Sequence, residues 1–203
     1  TITTDPEVER ELRTVAWEFV TAGRDDLDGY VDWVTDDDAA SEEQAEAAFA
    51  FVRAARVAQQ ADWSDEPSAL DRAFAGLEEI GILARQNFTC CGTCGSAEIG
   101  DERDGSRPWR GYVYFHSQDT DSLIESRATY VGYGTFLDAW LPEAEWDAMS
   151  GAEKDRYYTE TTQGLMAEAQ RVVEGEGLSW EWDGQLSRRI LIGNADYFVR
   201  LAP

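Results

Sequence analysis

Lysine is almost missing from this chain, histidine occurs once, and cysteine is confined to a single octapeptide. Lys154 is the only lysine and arginine supplies the other bases, so 17 basic side chains face 41 acidic ones, for a net charge of −24. A field of that sign repels nucleic acid and anionic membranes, which removes both as expected partners; it attracts a basic protein or a cationic ligand. No run of 18 or more apolar residues occurs, so no membrane-spanning helix is expected. Three cysteines are too few for a disulfide framework, and a reducing cytoplasm is the expected location. Thr1–Pro6 shows neither the basic nor the apolar region of a secretory signal. What remains is ample for a core. Apolar residues make up 43% of the 203 positions and aromatics 12%, too many for a disordered chain and enough for one domain with a helical appendage.

The pattern changes near residue 80. Residues 1–80 hold 21 acids against 6 arginines and read as an N-terminal helical region. Asp5-Pro6 is an N-cap followed by proline at the first helical position. Val8, Leu12, Val15 and Phe19 then recur at helical spacing up to Gly23. Leu27, Tyr30, Val31 and Val34 predict a short second helix. Ser41 with Gln44 forms a capping box ahead of an alanine-rich stripe through Ala45, Ala48, Phe49 and Val52. Asp65-Glu66-Pro67 restarts a helix that carries Leu70, Phe74, Leu77 and Ile80.

Residues 81–203 read as an α+β domain, the two regions forming one compact unit. Strands are expected at 82–88, 111–116, 128–136, 178–182 and 188–192. A short helix is expected over 96–103 and an amphipathic one over 161–174, with Pro142 opening another. Asp183-Gly184 between the last two strands is a hairpin signal. The order β-α-β-β-α-β-β predicts a mainly antiparallel sheet of about five strands with helices on one face. Gly132 and Gly134 inside the third strand signal a bulge or a close backbone approach.

All the soft metal ligands and strong nucleophiles fall in one window. Phe88-Thr89-Cys90-Cys91-Gly92-Thr93-Cys94-Gly95 holds every thiol, and Tyr114-Phe115-His116-Ser117-Gln118-Asp119-Thr120 holds the imidazole. Four chemistries compete for these residues. Cys91 and Cys94 have zinc-knuckle spacing, Cys90 offers a third sulfur, and His116 would complete a tetrahedral zinc site with Asp119 ligating or orienting the ring. A strand followed by Cys-x-x-Cys and a helix is also the thioredoxin-like order, in which a helix N-terminus lowers the pKa of a thiol. A cysteine activated by His116, with Asp119 or Gln118 behind it, satisfies triad logic for covalent catalysis. Against all three stands plain packing: free cysteine behaves as a small hydrophobe, and Gln118-Asp119-Thr120 reads equally as an Asx turn closing the strand.

These two motifs, together with Tyr130-Val131-Gly132-Tyr133-Gly134, resemble an uncharacterised bacterial family, mainly actinobacterial, a domain of unknown function. The resemblance covers about residues 75–200. It implies an α+β domain and brings with it no activity, cofactor or catalytic residue.

The remaining features have ordinary readings. Trp180 and Trp182 alternate onto one face as core packing or a stacking platform. Asp36-Asp37-Asp38 lacks the glycine and distal glutamate of a calcium loop and reads as a solvated turn. Gly92–Ser96 has no basic neighbour to make it a nucleotide site. The sequence therefore supports, first, an acidic interaction module of inhibitor or immunity type that binds a basic protein. The alternative is a thiol- or zinc-dependent enzyme or redox protein centred on Cys90, Cys91, Cys94 and His116.

Overall fold

The structure is a computed structural model that describes residues 5–36 and 40–202. Asp37 and Asp38 of the acidic turn and the segment Thr1–Thr4 lie outside the described residues. Helix starts are set by side chains that satisfy the first-turn amides. Asp5 accepts from the Glu7 amide at 2.8 Å and opens α1 (Pro6–Thr21). Asp26 opens α2 (Leu27–Thr35). Ser41 and Gln44 close the expected capping box on α3 (Glu42–Gln59). Each such cap contributes about 1 kcal/mol. These helices and residues 198–203 form one compact unit, Thr1–Glu66 with Phe198–Pro203. Its core gathers Leu12, Ala16, Val20, Tyr30, Phe49 and Val52. Tyr30 is fully buried and donates its hydroxyl to the Leu12 carbonyl at 2.8 Å, and burial pushes its pKa up to about 12. Leu201 joins the same core, held by a pair of hydrogen bonds between its backbone and the Gln60 amide.

The second unit, Pro67–Tyr197, is an α+β assembly. It opens with α4 (Ala69–Glu79), which begins two residues after the expected proline because Ser68 and Asp71 close a capping box there. Strands β1 (Ile82–Arg85), β2 (Gly111–Tyr114), β3 (Ala128–Thr135), β4 (Ser179–Glu181) and β5 (Ile190–Gly193) form one sheet in the order β1-β2-β3-β5-β4. Only the β1–β2 pairing is parallel. Helices α5 (Gly92–Glu98), α6 (Ser117–Ser126), α7 (Glu143–Ala148) and α8 (Gly151–Gly175) fill the connections. Alternation along the strands sorts side chains to two faces. Ile82, Ala84, Val113, Val131, Ile190 and Ile192 meet the apolar stripes of α4 and α8, with Leu123 of α6 in the same core. Leu83, Tyr112 and Tyr114 point the other way, where Ile99, Trp109 and Phe136 cover them. Among the described residues, no helix is long and apolar enough to cross a membrane.

Several elements differ from the sequence expectation. Gln118-Asp119-Thr120 is the first turn of α6, an additional helix between β2 and β3, and not an isolated Asx turn. Helix α8 begins ten residues early because Ser150 and Glu153 cap it. β4 and β5 pair antiparallel as expected, but Asp183 and Gly184 sit within a longer loop in which Asp183 accepts from the Gln185 amide at 2.9 Å. Trp180 is buried core, and Trp182 packs edge-on against Tyr133. Gly132 and Gly134 do mark a close approach. They pair across strands with Tyr114 and Tyr112, and a Cβ at either glycine would stand within 3.0 Å of the facing ring.

Candidate functional site

A parallel strand pair brings two successive loops to the same edge of the sheet, the place where α/β folds build crevices. Here the loop after β1 carries the thiols and the loop after β2 carries the imidazole. Backbone bonds tie them together. The Phe88 N–H donates to the Phe115 carbonyl at 2.8 Å, and the Ser117 N–H donates to the Thr89 carbonyl at 3.1 Å. The Ser117 hydroxyl donates to the Cys90 carbonyl at 3.1 Å, and the Thr120 hydroxyl to the Asn87 side chain at 2.9 Å. The thiol loop is bent to fit. Asn87 and Thr89 have φ of +49° and +59°, a conformation that a β-branched residue such as Thr89 adopts only when its surroundings enforce it.

Helix α5 starts inside the motif and not at Ser96, so Cys91 is its N-cap and Cys94 lies in its first turn. The reason is Tyr114, which rises from β2 beneath the helix. Its hydroxyl donates to the Gly92 carbonyl at 2.9 Å and pairs with Ser96 Oγ at 2.8 Å. Gly95 rests on the ring, and a Cβ there would come within 2.4 Å of Tyr114 Cε2. Gly95→Ala is accordingly expected to lower stability by about 1–3 kcal/mol through overpacking, measured by denaturant unfolding. Tyr114→Phe is expected to lose about 1 kcal/mol from the same contact.

The three sulfurs lie within 4.8 Å of one another, with Cys90 Sγ 3.5 Å from Cys94 Sγ. Cys90 is exposed and the other two are half-buried, so the cluster meets solvent. The Cys94 and Thr93 amides and the thiols of Cys94 and Cys90 lower the Cys91 pKa. The cap is not closed by a strict hydrogen bond to the sulfur, so these amides act as dipoles. Hydrogen bonding with the Cys90 and Cys91 thiols and the charge of their thiolates push the Cys94 pKa up to about 11.

His116 is the residue before α6 and is 7% exposed. A Cβ at Gly92 would stand 3.6 Å from its Cδ2 and Nε2, so the ring lies against the first residue of α5. It does not join the sulfurs as a fourth ligand atom within 4.8 Å. Its Nε2 lies 3.0 Å from Asp119 Oδ2, and its buried Nδ1 has no hydrogen-bond partner among the described residues. Burial lowers the His116 pKa, the Asp119 charge raises it and Arg189 lowers it again, with burial the largest effect. The fold therefore disfavours the charged form of the ring. Asp119 is buried and grips Arg189, which donates to Asp119 Oδ1 at 2.9 Å, to Asp119 Oδ2 and to the Tyr130 carbonyl.

The structure thus brings Cys90, Cys91 and Cys94 together and sets His116 and Asp119 beside them as a linked pair. Gln118 lies in the first turn of α6. Sequence reasoning missed Arg189, Tyr114 and Gly95. The signal for Arg189 was an arginine pair directly ahead of an apolar strand, opposite an acid one residue short of a buried threonine. Clefts of about 540, 320 and 600 Å³ lie elsewhere, and none is lined by a thiol or by His116. An open cluster suits an ion or an exposed disulfide better than an enclosed organic substrate.

Fold and site together define an α+β protein with a three-thiol cluster at the C-terminal edge of a parallel strand pair. The chain belongs to the family described as a domain of unknown function, DUF6891, whose profile matches residues 5–201. No curated protein and no solved structure matches it.

Proposed function

We propose that the protein carries out thiol–disulfide exchange, with Cys91 as the attacking thiolate and Cys94 as the resolving thiol. The observation that carries this reading is the placement of Cys91 at the N-cap of α5 with the Cys94 sulfur within 4.8 Å. The Cys91 thiolate attacks a disulfide of a small molecule or an exposed protein segment. One sulfur of that disulfide leaves as thiolate and a mixed disulfide forms. Cys94 gives up its proton to water, attacks Cys91 Sγ and releases the second thiolate. Two electrons have then passed from the dithiol to the partner disulfide. Cys94 is the natural resolver because an adjacent Cys90–Cys91 bridge departs from relaxed disulfide geometry. The reading goes with a cytoplasmic location, where such a pair is returned to the dithiol.

The test is equilibration of the full chain in glutathione buffers, followed by acid trapping and peptide mass mapping. A Cys91–Cys94 disulfide is expected to form at a potential between about −270 and −120 mV. Three thiols that stay reduced throughout, or that react no faster than free cysteine, would overturn the reading.

A second reading, an acidic module that binds a basic protein, is supported by the charge of −24 and its concentration in residues 1–80. Its expected mark is association with a basic partner that weakens steeply between low and physiological salt. Capture that does not respond to salt would count against it.

A further inference from the structure

Exchange needs two sulfurs, and this cluster holds three. Cys90 is not required for the Cys91–Cys94 couple, yet its sulfur stands 3.5 Å from Cys94 and within 4.8 Å of Cys91. Sulfur bonded to a first-row d10 metal sits about 2.3 Å from the ion. Three such sulfurs in a trigonal plane are therefore about 4 Å apart, which falls inside the spacing found here. The thiols stand at ligand separation.

The fourth position decides which ion fits. Among the described residues, no imidazole nitrogen or carboxylate oxygen joins the three sulfurs within ligand spacing. His116 lies close by, with its Nε2 3.0 Å from Asp119 Oδ2, but neither ring nitrogen falls within the cluster that the three sulfurs form. Zinc in a structural site takes four protein ligands. A soft monovalent ion is satisfied by thiolates alone. We infer that Cys90, Cys91 and Cys94 form a three-sulfur site for Cu(I), with trigonal coordination and no ligand from His116.

Access and charge agree with this assignment. Cys90 is exposed and the other two thiols are half-buried, so an ion reaches the sulfurs without unfolding α5. The strongly negative chain raises the local concentration of cations. Binding involves no electron transfer: Cu(I) enters as Cu(I), and the thiols that ligate it release their protons to solvent. The inference does not rest on the exchange reading, because it requires Cys90 and exchange does not.

The experiment is an anaerobic titration of the reduced full chain with Cu(I) buffered by bicinchoninate, with X-ray absorption on the loaded protein. One ion per chain in an environment of three sulfurs is expected. Cys90→Ser is expected to weaken binding by more than about a hundredfold, beyond what loss of a supporting partner costs. The same variant should still form the Cys91–Cys94 disulfide, so metal binding and exchange can fail separately. His116→Gln is expected to leave the sulfur environment of the bound ion unchanged. The inference is overturned if the chain does not compete with the chelator, if Cys90→Ser binds as well as the native chain, if a nitrogen ligand appears in the absorption spectrum, or if zinc is held in preference to Cu(I).

Discussion

Cys91→Ser is expected to abolish the fast phase of thiol alkylation at pH 7, lowering the total rate about tenfold, while Cys94→Ser leaves a fast phase in place. An ordinary thiol is only a few per cent ionised at neutral pH. Cys94 is further disadvantaged because its pKa is pushed up to about 11 by the neighbouring sulfurs of Cys90 and Cys91. Cys91 is the thiol whose pKa is lowered, by the amides at the start of α5 and by the neighbouring thiols. Iodoacetamide kinetics across pH, read by mass spectrometry at each peptide, measure this directly. A Cys91 profile centred at or above the ordinary thiol value of about 9 would sink the assignment of the nucleophile.

The same two thiols set opposite slopes in the stability of the reduced protein. The fold favours the Cys91 thiolate, so the unfolded chain binds more protons between the lowered and the ordinary value. Stability from this group is full above the ordinary range and is lost as pH falls through the lowered value. Cys94 behaves in reverse. The fold keeps its proton up to about 11 while the unfolded chain releases it near 9, so its contribution is lost as pH rises across that window.

Much of this site was legible in the sequence because its chemistry is carried by rare residues. With three cysteines and one histidine in the chain, the window from Cys90 to Asp119 was the place to look, and it does hold a clustered set of thiols. The glycines of β3 announced a close approach, and the rings of Tyr112 and Tyr114 supply it. What stayed hidden depends on partners distant in sequence. Ser117, Asp119 and Thr120 are poor helix formers and favour turns by local bonding. They open α6 because the His116 N–H donates back to Asp119 at 3.3 Å and Arg189, 70 residues away, neutralises that carboxylate. The early start of α5 likewise depends on Tyr114 from another element, which no local pattern around Gly92 reports. Zinc-site logic, applied to the sequence, expects His116 near the sulfurs with Asp119 ligating or orienting the ring; in the structure the ring lies against Gly92 at the start of α5, with its Nε2 3.0 Å from Asp119 Oδ2.

Asp119→Ala should then be the costliest single change near the site outside the thiols, at about 2–3 kcal/mol. Breaking a buried ion pair costs about 3–5 kcal/mol, and the lower figure applies because the Arg189 side chain is 40% exposed and water competes for it. Two further losses come with the carboxylate, its contact with His116 Nε2 and the first-turn cap of α6. Thermal unfolding should shift down by roughly 5–10 °C if the sheet unit melts as one transition. A double-mutant cycle with Arg189→Ala isolates the pair, and the combined loss should fall short of the sum of the single losses. The His116 titration supplies an independent reading. Burial lowers its folded pKa below the ordinary 6.5, so below that value the unfolded chain takes up a proton the fold refuses, and stability declines as pH drops. His116→Gln should flatten that decline, and an unchanged slope would show that the imidazole titrates freely in the fold. The consequence reaches the thiols without any direct contact. The α6 turn that Asp119 caps also presents Ser117, whose N–H and hydroxyl hold the Thr89 and Cys90 carbonyls. Loosening that turn releases the enforced φ of Thr89, and Asp119→Ala should therefore slow Cys91 alkylation at temperatures where the variant is still fully folded. A native alkylation rate in such a sample would confine Asp119 to stability and separate it from the chemistry of the cluster.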